Sequence, residues 1–223
     1  METDTLVWKC SHGFSAIEHP NCWLEFKREV EMGTVGYLDI ETIQLTADFG
    51  ILISWAIKTR DKDEVFHDCI TQNDLFSKLK GTNEYIQDYR VTKSLTNCMK
   101  NYQWIITFYG TYFDIPFSRT KALFWKRFDD SIEFPIYSTV KHHDVYFDVK
   151  SKLRLHNNRL EAAANVLGIT GKNHVEPQYW RRALSGDEES LKWILDHNIN
   201  DVLVLEKVHK KLELFVAGRK TSI

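Results

Sequence analysis

Four prolines, four cysteines and no long apolar run mark this sequence of 223 residues. Without a stretch of about 18 apolar residues, it offers no candidate for a membrane-spanning helix. Its opening, METDTLVWKC, lacks the basic leader and apolar stretch of a secretory signal. That predicts a cytoplasmic, reducing setting and no membrane partner, with Cys10, Cys22, Cys69 and Cys98 as thiols or metal ligands rather than disulfides. A strong charge excess is missing too: 29 Lys and Arg stand against 31 Asp and Glu, a formal charge of −2, so attraction to nucleic acid must be local. Internal repeats and low-complexity tracts are absent, and the main body reads as continuous. What is present, 43% hydrophobic and 13% aromatic residues, suffices for the core of one sizeable domain and an appendage.

Hydrophobic patterning divides the chain into elements. VGYLDIET after Thr34, FGILISWAIKT from Phe49 and DEVFHDCI read as three strands of an antiparallel meander. NEYIQDYRVTKSLTNCMKNY follows as helix, then QWIITFYG, Gln103 to Gly110, as strand and FSRTKALFWKRF as helix. IYSTVKHHDVYFD, after Pro135, predicts a fifth strand. NRLEAAANVLGI is a short helix stopped at Gly168, EPQYWRRAL another, and Asp187 to about Ala217 a long one with acids at its positive end. The expectation is an α/β fold: a five-stranded mixed sheet flanked by helices, over residues 33–223, preceded by a segment of residues 1–32.

Four acids fall at suggestive places. Asp39 and Glu41, two apart in the apolar run LDIET, emerge on one strand face, where burial calls for a counter-ion such as a divalent cation; alternatively they mark a strand end in water. Asp114, in YGTYFDIPFSR, lies past a strand at a helix start, where it is an N-cap or a site residue. Asp201, in HNIND, shares a helix face with His197 four residues earlier.

Taken in order, DIET, YFDIPF and HNINDV resemble the three exonuclease motifs of the DEDD superfamily, nearest to the proofreading domains of family-B DNA polymerases and related nucleases, over about Gly36 to Leu212. The resemblance implies a ribonuclease H-like sheet and a 3′→5′ exonuclease without its own polymerase module. It implies Asp39, Glu41, Asp114 and Asp201 around two Mg²⁺ or Mn²⁺ ions, which serve the two ends of an in-line phosphodiester displacement. The partner implied is DNA or RNA, with a single-stranded 3′ end favoured, and proofreading would need a polymerase or replication or repair partner in trans. A structure-specific or RNA-directed nuclease on the same fold, or a non-catalytic nucleic-acid-binding module, are the alternatives.

DEDD exonucleases carry a tyrosine four residues before the last aspartate or a histidine five before it. This chain has His197 in the tyrosine's register, while Asp196 holds the other position. With a reference pKa of about 6.5, His197 can take a proton from water near neutrality, where a tyrosine at about 10 mainly orients it. A surface pair with Asp201 or Asp196 is the other reading. Tyr109 replaces an asparagine common in the related polymerases, and Tyr109 and Tyr112 are candidates to stack on unpaired bases or to be rim aromatics. The acid-free stretch KSKLRLHNNR offers Lys150, Lys152 and Arg154 for phosphate contacts, or a solvated helix face.

CSHGFSAIEHPNC gathers Cys10, His12, His19 and Cys22 within 13 residues, a set suited to one structural Zn²⁺ though not in a standard finger spacing. Incidental residues with an oxidised Cys10–Cys22 pair are the alternative. Cys69 and Cys98 are expected as buried small residues, and His142 and His143 as strand flanks.

Overall fold

The computed structural model describes residues 9, 10, 12–15, 17–22, 34–171 and 176–216. Ala217, the expected end of the last helix, lies outside them, as do most of residues 1–32. The chain divides into two compact units, Met1–Thr34 and Val35–Ile223.

In the larger unit, aliphatic and β-branched runs form the first two strands, β1 (Val35–Ile43) and β2 (Ile51–Thr59), paired antiparallel with Asp39 opposite Ala56 and Glu41 opposite Ser54. β3 (Val65–Cys69) continues the meander on the outer side of β2. A capping box at Thr71 and Asp74 then starts the short helix α1 (Gln72–Phe76), which the periodicity alone does not reveal. α2 (Tyr89–Met99) leads to β4 (Trp104–Thr107), parallel to β1, and α3 (Asp114–Lys126) leads to β5 (Lys141–Asp144), parallel to β4. The sheet order is β3-β2-β1-β4-β5, the expected five-stranded mixed sheet, with β1 central. α4 (Val145–Lys152), α5 (Leu160–Val166), α6 (Pro177–Ala183) and the 29-residue α7 (Glu188–Val216) follow.

The fifth strand is shorter than the sequence suggests. Of IYSTVKHHDVYFD only KHHD is strand, and VYFD opens α4. Asp144 takes the N-cap position, accepting from the Tyr146 N–H at 3.1 Å, and Val145, Asp148 and Val149 are buried at helical spacing.

Because strand side chains alternate, β1 serves two layers. Leu38 and Ile40 join the core with Val91, Leu95 and Ile115 of α2 and α3. Tyr37, Asp39 and Glu41 turn to α7, where they meet His209, Asn198 and His197. The acids of LDIET therefore sit on the opposite sheet face from Leu38 and Ile40.

Candidate active site

β1, the start of α3 and the N-terminal half of α7 bring the predicted acids together. Asp114, 4% exposed, is the first residue of α3 and accepts from the Ile40 N–H at 3.1 Å, tying that helix end to the central strand between Asp39 and Glu41. His197, 3% exposed, lies with Nε2 3.8 Å from a Glu41 oxygen and 3.9 Å from an Asp201 oxygen. Its ring stacks on Trp193, one turn earlier, with planes 7° apart, and Trp193 stacks in turn on Tyr179 of α6. The imidazole is thus set in place by its aromatic face and directs one nitrogen toward two carboxylates.

Burial pushes the Asp39 carboxyl well above the usual range, and the charges of Asp114, Asp201 and Glu41 push it further, against a hydrogen bond from Asn198. Asp114 is raised to about 7, chiefly by burial and also by Asp144, while backbone N–H groups, including that of Ile40, hold it down. Clustered acids that raise one another's proton affinity call for positive charge, and an all-oxygen donor set suits hard divalent cations. By donor chemistry the acids suit divalent cations such as Mg²⁺ or Mn²⁺.

Three polar residues, Asn198, Ser54 and Asp144, support the cluster though no sequence pattern singles them out. Asn198, fully buried, donates from Nδ2 to Asp39 Oδ2 at 2.6 Å, and the buried Ser54 hydroxyl donates to Asn198 Oδ1 at 3.2 Å. Asp144 accepts from the Tyr109 and Thr111 N–H groups at 2.7 and 2.9 Å. These bonds hold a tight turn. Tyr109 has φ +68°, unusual for a residue with a side chain, and a Cβ on Gly110 would lie 2.2 Å from Thr107 Oγ1.

A cleft of about 520 Å³ is lined by Asp39, Asp201, Tyr109, Tyr146 and, ahead of α5, Asn158 and Arg159. Tyr109 lies 4.9 Å from Tyr146 and 5.2 Å from Tyr112, ring centre to ring centre, and both Tyr109 and Tyr112 are exposed. Lys150 and Lys152 occupy the last turn of α4 and Arg154 the loop after it, all exposed, none of them lining the cleft. Arg159, from the same basic stretch, does line it. His142 bonds Thr107 Oγ1 at 2.8 Å and His143 bonds Asp148 at 2.5 Å, so both are tied into the fold. Cys69 and Cys98 are partly buried, and burial raises their thiols to about 12 and about 11.

In the smaller unit, ligand atoms of Cys10, His12, His19 and Cys22 all lie within 4.8 Å of one another. Cys10 Sγ is 3.7 Å from His12 Nδ1 and 3.6 Å from His19 Nδ1; for Cys22 Sγ the distances are 3.8 and 3.9 Å. With Zn–S near about 2.3 Å and Zn–N about 2.0–2.1 Å, a tetrahedral zinc sets sulfur and nitrogen about 3.6 Å apart, so the four atoms are spaced to close around one ion. Desolvation opposes ionisation of Cys10, yet the backbone groups of Phe14 and His12 and the two imidazoles bring its thiol down to about 6. The cluster can bind zinc.

The sequence matches the profile of the RNase_H superfamily over residues 36–213. Among solved structures, the family B DNA polymerase from the hyperthermophilic archaeon Pyrobaculum calidifontis superposes with a TM-score of 0.58 at 20% identity, over 82% of this chain and 25% of the polymerase. The matched region is thus about a quarter of that polymerase's length. No curated protein matches the sequence.

Proposed function

The chain belongs to the RNase_H superfamily and has its nuclease fold, and on that premise we propose that it is a metal-dependent 3′→5′ exonuclease. The observation that carries this reading is the convergence of Asp39, Glu41, Asp114 and Asp201 beside a buried histidine, with Asp39 and Asp201 lining a cleft that the exposed Tyr109 also lines. The four carboxylates would hold two Mg²⁺ or Mn²⁺ ions, which when bound supply charge stabilisation at the attacked phosphorus and both flanking oxygens. His197, braced by Trp193, accepts the proton of the attacking water. Tyr109 and Tyr112 stack on unpaired bases, which favours a single strand, and Arg159 contacts a phosphate at the cleft rim, with Lys150, Lys152 and Arg154 following the strand outward. A structural zinc on Cys10, His12, His19 and Cys22 completes the cofactors.

The test is release of nucleotides from 3′- and 5′-labelled single-stranded DNA and RNA with Mg²⁺ or Mn²⁺. Asp39→Ala should abolish release from the 3′ end, and His197→Phe should slow it by about 10²-fold. Cleavage at internal positions or from the 5′ end would replace the exonuclease reading with another nuclease mode. Metal-independent binding without any turnover would replace it with a binding module.

A further inference from the structure

A second concavity lies away from the acids, between the later turns of α3 and the segment that enters β5. It holds about 760 Å³, within the range of ligand-binding pockets, about 300–1,000 Å³. Its floor is apolar, from Leu123, Phe134, Ile136 and Val140. Leu123 and Ile136 are 60% and 64% exposed, and the adjoining Tyr137 is 79% exposed. A lone exposed aliphatic residue is ordinary, but several gathered around one groove mark a surface that meets a partner.

The rim is positive. Lys100, Arg119 and Lys126 border the groove with a single acid, Glu133, 3.5 Å from Lys126. Lys100 and Arg119 have no acidic partner among the described residues. On a chain whose formal charge is −2, this is a local feature and selects an occupant of opposite sign. The floor argues against a nucleic-acid strand. Bases seek open aromatic faces; within the groove the one aromatic ring, Phe134, is overlaid by the Arg119 guanidinium at 5.4 Å, while the exposed Tyr137 adjoins the groove without lining it.

We propose that this groove docks a short acidic peptide segment of another protein, with an aliphatic or aromatic side chain seated between Leu123 and Ile136 and flanking carboxylates on Lys100 and Arg119. The site is independent of the nuclease reading and would recruit the chain to a partner whatever its turnover.

The experiment is selection of a displayed library of random dodecapeptides on the full chain, followed by fluorescence anisotropy with fluorescein-labelled copies of the selected peptides. Selected peptides should carry Asp or Glu on both sides of Leu, Ile or Phe. Arg119→Glu and Leu123→Ser should each weaken them about tenfold or more, with the thermal midpoint and oligonucleotide hydrolysis unchanged. Replacing the peptide's acids by lysine should restore binding to Arg119→Glu, an exchange that damage to the fold would not produce. The proposal fails if no peptide is enriched, if the selected peptides lack acids, or if affinity ignores both substitutions. It also fails if a labelled single-stranded oligonucleotide competes with the peptide and loses affinity in Arg119→Glu, which would assign the groove to nucleic acid.

Discussion

Asn198 joins the strand and helix halves of the site, because the amide that Ser54 orients is the one that donates to Asp39. Fixing a ligand's orientation in this way raises its affinity for a cation, and loss of such a partner typically costs about 10- to 100-fold. Asn198→Ala should therefore weaken Mn²⁺ binding by that factor in calorimetry, and Ser54→Ala by less. Unchanged affinity in a folded Asn198→Ala would show that Asp39 needs no such support. Asp39, Glu41, Asp114 and Asp201 are legible as a set only through the order in which DIET, YFDIPF and HNINDV resemble the exonuclease motifs, each motif being weak alone, and the fold does bring the four acids together. Asn198 gave no such signal: an asparagine in a helix breaks no pattern, and its partner Ser54 lies 144 positions away. Asp144 escaped for the same reason, since its backbone partners at 109 and 111 come within reach only once β4 and β5 pair.

At the scale of elements, the strands were legible wherever β-branched residues run continuously, but the fourth and fifth are shorter than expected: of QWIITFYG only Trp104–Thr107 is strand, and the fifth fails where two periodicities overlap. VYF suits a strand by composition, but the Asp144 cap and the buried spacing of Val145, Asp148 and Val149 make it helix. α7 carries another feature that composition hides. Beyond the site its later turns are fixed by polar contacts: Glu206 lies 3.4 Å from Lys58 and 3.0 Å from Lys210, and Arg60 pairs with Glu213. Burial would raise the Glu206 carboxyl, but the Asp61 N–H and the two lysines outweigh it and hold it below its ordinary value. A carboxyl whose folded value is depressed stabilises the fold above its unfolded value, and that contribution fades as pH falls through the folded one. The stability gap between wild type and Glu206→Gln should thus be full at neutrality and shrink from about pH 4.3 downward, as measured by urea unfolding over a pH series. A gap that stays constant would remove Glu206 from the acid response.

The whole molecule pairs a unit with a large core and one too short for a core of its own. Segments of that size need a staple such as a disulfide or a bound metal, and the Cys10, His12, His19 and Cys22 cluster offers the second. The purified chain should contain one zinc per molecule, and Cys10→Ser or Cys22→Ser should lose it, as measured by elemental analysis. A zinc-selective chelator should shift the NMR signals of Cys10, His12, His19 and Cys22 while the β1 amides persist. Zinc content unchanged in both variants would show that the four side chains hold no ion. The larger unit has a different dependence, on α7, which at about 1.5 Å per residue is about 43 Å long. His197, Asn198 and Asp201 occupy its earlier turns, while Glu206 and His209 lock the later ones to Lys58 of β2 and Tyr37 of β1, and Glu213 to Arg60 just past β2. The site therefore depends on helical phase as well as on residue identity. One residue inserted between Asp201 and Glu206 would turn His197, Asn198 and Asp201 by about 100° relative to the later turns. An insertion scan along α7 should find an abrupt loss of turnover at that junction, even though every named side chain is still in the chain.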